Sequence, residues 1–411
     1  MPENGTPDGP RHGRGTAMVQ PTARGAHARP VDWHTARGLA HAEARPLPGR
    51  SVELAAAAGL VLGEDLVSRV AQPAFDTSAM DGYAVAGRGP WTVLGEVRAG
   101  RQWPGCLRPG EAVAISTGAP VPAGARAVLP VEDTSRSGDE VRGLDGCAPE
   151  PGRHIRRTGE NSPAGALLAD SGSVVSPAML GLAAAAGHDD LVVRPRPRVR
   201  LLITGDELVT AGPSGAGRVR DALGPTLPPL VAGLGGDLVE TAHVQDSFAA
   251  LAAAVASGAA SEIVLVTGST SVGVTDHLHR LLDGLGARAV VDGVACRPGH
   301  PQLLAALGSR RWLIGLPGNP YAAIVAAHTL LAPLLAGLGG RPVPPLRRTA
   351  VAGVPPAVDG HTLLVPAAWD GDHLAVVPGH RPSDLRGVAR ADVLAVIDRE
   401  TRDTTVAVLS L

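Results

Sequence analysis

The chain has 411 residues, 37 basic and 39 acidic, with a net charge of −2, and every basic residue is arginine because there is no lysine. The two signs are interspersed, which excludes the basic stripe of a general nucleic-acid binder. A hydrophobic share of 44% excludes global disorder, and the 2% share of aromatics means that the cores must be built from Ala, Val and Leu. This length calls for about two to four domains.

The three cysteines, Cys106, Cys147 and Cys296, form no CxxC pair and no zinc pattern, so a reducing, cytoplasmic setting is expected. The N-terminus has no apolar core and is not read as a signal peptide. Residues 1–30 are rich in Gly, Pro and Arg without periodicity and predict a disordered tail. Residues 31–70 carry a helical pattern (ELAAAAGLVLGEDL) and, with the loop-rich stretch 148–190, predict an N-terminal linker region. Between them, residues 71–147 hold short alternating runs (YAVAG, WTVLGEV, EAVAIST, AVLPVED) bounded by Gly and Pro, the pattern of an inserted β-rich domain.

Residues 191–340 change period. Apolar strands at 199–204, 238–243, 262–267, 287–291 and 312–316 alternate with helices at 226–235, 248–257, 276–285 and after 320. This alternation predicts a parallel α/β sheet. The apolar run 321–338 contains His328 and Pro333 and predicts a buried helix rather than a membrane span. Residues 341–411 return to short strands and predict a C-terminal β domain. The fold class is therefore α/β plus β-rich domains in an elongated multidomain chain.

In an open parallel sheet, ligands gather at the carboxyl ends of the strands. The loops there are unusual. Asp206 and Glu207 follow one strand, Asp246 another. Gly268, Ser269, Thr270, Ser271 and Gly273 follow a third, with Asp276 opening a helix. Pro317, Gly318, Asn319 and Pro320 follow the last. Glycines and hydroxyls before a helix suit a phosphate. The carboxylates on one edge suit Mg²⁺, although each acid alone is also an ordinary cap or loop residue. Arg297 and His300, braced by prolines, suit an oxyanion or a plain surface turn. Asp81 and Thr117 lie in hydroxyl-rich segments that read equally well as hairpin turns.

Together and in this order, these segments resemble the molybdopterin molybdotransferase family. The matching stretches are PAFDTSAMDGYAV (73–85), STGAPVPAGA (116–125), GRHIRRTGEN (152–161), RPRVRLLITGDEL (196–208), TGSTSVGVTD (267–276), RPGHP (297–301) and GLPGNP (315–320). The resemblance implies a Mg²⁺-dependent transferase that hydrolyses adenylylated molybdopterin, releases AMP and inserts molybdate. It implies a homodimer with a site between the α/β domain of one subunit and the β-rich domain of the other; the charge pattern and the buried reading of 321–338 already argue for no nucleic-acid and no membrane partner. It carries catalytic positions onto Asp81, Thr117, Glu207, Asp246, Asp276, Pro317 and Pro320. Cofactor binding falls on Gly268, Ser269, Thr270, Ser271, Gly273, Asn319 and Asp221, the metal on Asp276, Asp246 and Glu207, and molybdate on Arg297 and His300.

The chain also departs from the family pattern. Thr77 replaces Asn, GSTSVG replaces GGVSVG, and RPGHP replaces Lys-Pro-Gly-Lys-Pro. Asp221-Ala222-Leu223 replaces Asp-Ser-Asn, and Pro225, Pro228 and Pro229 predict that the next helix starts late. These departures motivate an alternative, a divergent paralogue that binds pterin or nucleotide with little turnover. An adenylyltransferase on the same pterin-binding domain is a third reading.

Overall fold

A computed structural model of the chain describes residues 29–146, 148–257, 261–268, 277–343, 346–401 and 404–411. All but the last two residues of the expected N-terminal tail, and Cys147, lie outside the described residues.

Helix α1 (Trp33–Ala42) opens the described chain. Asp32 caps it by accepting from Thr35 N at 3.1 Å, and it buries Trp33, Ala36, Arg37 and Ala40. The helical expectation for 31–70 holds only there and in one turn, Leu54–Ala57. Gly59 at φ +71° ends that turn, and the flanking residues enter short strands instead. Arg50–Glu53 and Val61–Leu62 pair with the distant Asp190–Arg194. Helical periodicity lost here to hydrogen bonds made some 130 residues away, which a local pattern does not contain. Helix α2 (Pro177–Ala185) is capped by Ser176, with proline in its first turn as helix starts favour.

The β-rich region forms a six-stranded sheet ordered Ala127–Pro130, Gly82–Val85, Glu111–Ile115, Trp91–Val97, Glu140–Gly143, Thr134–Ser137. These strands are the alternating runs visible in the sequence, with one further hairpin.

The α/β region contains strands β1 (Arg198–Thr204), β2 (Asp237–Val244), β3 (Ile263–Thr267), β4 (Arg288–Asp292), β5 (Leu303–Gly308) and β6 (Arg311–Leu316), in the order β2-β1-β3-β6-β5-β4. The first four in this order are parallel, as the alternation implies. β5 runs antiparallel to both β6 and β4. Periodicity missed β5 because it joins β6 by a tight turn rather than through a helix.

Helix α3 (Leu223–Gly233) and helix α6 (Pro320–Ala326, a π turn Ala327–Leu331, then Ala332–Leu338) pack with α1 on one sheet face. Helices α4 (Phe248–Ser257) and α5 (His277–Gly284) cover the other. With both faces covered, the central strands must be continuously apolar. The span Pro320–Leu338 is long and apolar enough to cross a membrane by composition, but 94% of its most apolar window is buried in this core.

Helix α3 does not start late. Asp221 Oδ1 accepts from Leu223 N and Gly224 N at 2.9 Å each, and Pro225 falls in the first turn, where an N–H has no helical acceptor to lose. Pro228 and Pro229 lie inside the helix, which is held by the buried stripe Leu223, Leu227 and Val231.

The C-terminal strands close on themselves. Thr362–Asp370 pairs with both His373–Val376 and Val393–Ile397, completing a barrel with Arg347–Ala352 and Thr405–Ser410. Cys296–Arg297 adds to this barrel through Thr362–Leu363, tying the basic loop to it.

Candidate active site

Strand register places the ends of four strands in one row. Thr204 pairs with Val244, Ile203 with Thr267, and Thr267 with Leu316. The loops starting at Gly205, Gln245, Gly268 and Pro317 therefore leave the same edge. Gly268 has φ +90° and donates its N–H to Leu316 O at 3.1 Å. A Cβ on it would stand 2.9 Å from Thr204 O, and a Cβ on Gly318 would stand 3.5 Å from Gly268 Cα. Glycine is required at 268 by its φ and by the closeness of Thr204 O, and the Pro317–Pro320 turn packs in contact with it through Gly318. Ser269, Thr270, Ser271, Gly273 and Asp276 lie outside the described residues.

Asp206 Oδ1 accepts from Asp246 N at 3.2 Å, joining the loops after β1 and β2. Among the described residues, the carboxylates of Glu207 and Asp246 accept no hydrogen bond. Among the described residues no group of three or more His, Cys, Asp or Glu side chains is arranged to hold a metal. A cleft of about 530 Å³ opens beside these loops, lined by Gly205, Asp206, Leu208, His243 and Gln245 among others.

Asp221 is buried beneath this cleft. One of its oxygens caps α3, and the other lies 2.9 Å from His243 Nε2. Its visible work is to start the helix and hold His243, a cleft residue that sequence reading did not single out.

The basic loop sits beside the proline turn. Gly299 has φ +97°, and a Cβ on it would stand 3.2 Å from Ala322 O in the first turn of α6. His300 Nδ1 lies 2.9 Å from Val294 O. A carbonyl only accepts, so the ring proton belongs on Nδ1, and Nε2 is left for a ligand. Gln302, 1% exposed, braces the loop by donating from Nε2 to Gly299 O at 2.7 Å. Beside it, burial pushes the Cys296 thiol up to about 12, so it is inert at neutral pH. The side chain of Asn319 makes no capping bond to α6. The N–H groups of Tyr321 and Ala322 instead donate to Pro382 O, at 3.1 and 3.3 Å, from a loop of the C-terminal barrel. Neither Gln302 nor Pro382 carried a sequence signal, because each acts only through a tertiary contact.

The β-rich motifs assemble separately. Asp81 Oδ1 accepts from Thr117 N at 2.7 Å and from Thr117 Oγ1 at 3.1 Å. Asp76 accepts from Thr158 N at 2.8 Å and from Arg157 Nη1 at 2.5 Å. The Thr158 amide is the largest cause holding the Asp76 carboxyl below its ordinary range. Thr77–Ser78 pairs with Ile155–Arg156, so three motifs meet in one place. Thr77 is buried there. Asp81 and Thr117 bond to each other, and among the described residues neither bonds to the α/β edge.

Known proteins resemble both halves. The family model of the MoeA N-terminal region (domain I and II) matches residues 30–187, and that of a probable molybdopterin binding domain matches residues 200–337. Molybdopterin molybdenumtransferase 2 of Mycobacterium tuberculosis is 36% identical over 311 residues, which span 72% of this chain and 76% of that protein. Molybdopterin molybdenumtransferase 1 of the same organism is 30% identical over 412 residues, spanning 90% and 95%. The molybdopterin biosynthesis MoeA protein of Pyrococcus horikoshii superposes with a TM-score of 0.75 at 22% identity, covering 93% of this chain and all (100%) of that one, a likeness of fold.

Proposed function

This chain belongs to the molybdopterin molybdenumtransferase family, and we propose that it inserts molybdate into adenylylated molybdopterin with release of AMP, as a cytoplasmic, Mg²⁺-dependent homodimer. The observation that carries this reading is the convergence at one sheet edge: Gly268 against Gly318, Asp206 against Asp246, and Gly299 against the first turn of α6.

Each part has a chemical use. Gly268 and the Pro317–Pro320 turn expose backbone where a pterin phosphate would lie, and Ser269, Thr270, Ser271, Gly273 and Asn319 would add donors. The carboxylates of Glu207 and Asp246, with Asp276, are the hard oxygen donors that Mg²⁺ takes. Bound there, Mg²⁺ would neutralise charge on the phosphate oxygens during AMP release. Arg297 would contribute a permanent charge to molybdate, and His300 a ring nitrogen already oriented by Val294. Asp221 would act on the cofactor indirectly, through His243. Asp81, its carboxylate fixed by Thr117, would reach the site of the partner subunit.

The test is reconstitution. Purified protein, adenylylated molybdopterin, Mg²⁺ and molybdate should release AMP and yield a cofactor that activates an apo-molybdoenzyme. Absence of both products would sink the proposal. Retained pterin binding without AMP release would favour the non-catalytic paralogue, and ATP consumption with free molybdopterin would favour an adenylyltransferase.

A further inference from the structure

At the amino edge of the α/β sheet, opposite the candidate active site, lies a second cleft of about 260 Å³. Arg194, Arg196 and Arg341 line it together with the apolar Leu60 and Leu335, and no carboxylate does. All three guanidiniums lie against glycines that leave them room, Arg196 Nη2 standing 3.2 Å from where a Cβ on Gly59 would be. A Cβ on Gly340 would stand 3.0 Å from Arg194 Nε, and one on Gly235 would stand 3.2 Å from Arg341 Nη2.

Arg194 donates from Nη1 to Leu62 O at 3.0 Å. Its Nε, and the Nε of Arg341, are buried without an acceptor. Among the described residues, the side chains of Arg196 and Arg341 donate no hydrogen bond and meet no acid. Buried charged donors are ordinarily paired, and an orphan in a native fold calls for an unseen acceptor. Desolvation lowers the Arg341 pKa, as expected for a cation held without a counter-charge.

The geometry points to an anion site in this cleft: Arg194, Arg196 and Arg341 hold a small phosphate-class dianion. Planar guanidinium forks match tetrahedral oxyanions two N–H groups at a time. Three cations without an acid leave a surplus charge that a dianion offsets. The site is distinct from the catalytic edge, because the seven residues of β1 separate the two by about 20 Å. Both chain crossings out of the α/β region, at 194–197 and 339–341, run along this cleft. A bound dianion therefore ties the N-terminal region to the α/β region.

Thermal melting of the full chain tests this, with inorganic phosphate titrated against chloride at constant ionic strength and glycerol 3-phosphate as a second arm. Phosphate should give a saturable rise of about 3 °C at a large excess over Kd. The rise should vanish in the Arg196→Gln/Arg341→Gln double variant and persist in Arg297→Ala, where the other basic loop is disabled. In chloride the double variant should melt no lower than the parent, since it loses two unpaired like charges. A larger shift with glycerol 3-phosphate supports an organic monoester against the Leu60 and Leu335 wall, and an equal shift supports inorganic phosphate. The assignment is overturned if the parent shows no saturable rise or the double variant keeps it. It is also overturned if Arg297→Ala abolishes the rise, or if the double variant melts lower in chloride, which would make the arginines structural.

Discussion

Replacing Asp221 with alanine should loosen helix α3 and, with it, one wall of the cleft beside β1. The carboxylate is 6% exposed, accepts from Leu223 N and Gly224 N at 2.9 Å each, and lies 2.9 Å from His243 Nε2. Loss of a helix N-cap costs about 0.5–2 kcal/mol. Two amides, one buried and one half-buried, lose their acceptor together here, so a cost of about 2 kcal/mol is expected, at the upper end of that range. Because 1.4 kcal/mol is tenfold in an equilibrium, helix opening should rise roughly thirtyfold. Hydrogen exchange followed by mass spectrometry reads this directly on peptides covering Leu223–Gly233, with Phe248–Ser257 as the unchanged reference. Asp221→Asn keeps an oxygen for the cap and should recover most of the protection. The reasoning fails if Asp221→Ala leaves exchange in α3 within about twofold of the parent, a change worth less than ~0.5 kcal/mol.

His328 is 5% exposed in the π turn of α6, and burial, with Arg37 nearby, holds its pKa at about 4 against an ordinary 6.5. A base with a depressed folded pKa stabilises fully above pH 6.5 and loses that stability as pH falls toward 4, by about 3 kcal/mol over the window. Melting temperatures from pH 7 to 4 should fall less steeply for His328→Leu than for the parent, and parallel curves would refute this. Gly268→Ala should cut AMP release at least a hundredfold, because the added Cβ would meet Thr204 O at 2.9 Å; near-parental turnover would remove Gly268 from the site. His300→Lys should lower the KM for molybdate several-fold, because a lysine ammonium adds a compact full positive charge beside Arg297; an unchanged KM would show that the charge at this position does not limit capture. Tyr321→Phe removes the buried 2.6 Å bond to Leu364 O, so thermal or urea unfolding should report a loss of about 1 kcal/mol.

The amino-acid sequence by itself determined the family, through seven ordered motifs, and the alternation that makes 199–316 an α/β sheet. It also placed four loops on one sheet edge, since residues after parallel strands share an edge whatever the details of packing. These features are local: a run of apolar residues, a glycine before a helix, a proline in a first turn. Tertiary structure decided the rest. The Asp81–Thr117 bond spans 36 residues and the Asp76–Thr158 bond spans 82. The α6 N–H groups are met by Pro382 of another region, and Asp221 starts α3 ahead of three prolines while holding His243. The segment 31–70 became mostly short strands because its partners lie at Asp190–Arg194. A hydrogen bond has no preference for near neighbours once the chain is folded, whereas sequence periodicity records only near neighbours. That is why the motifs were legible in advance and their partners were not.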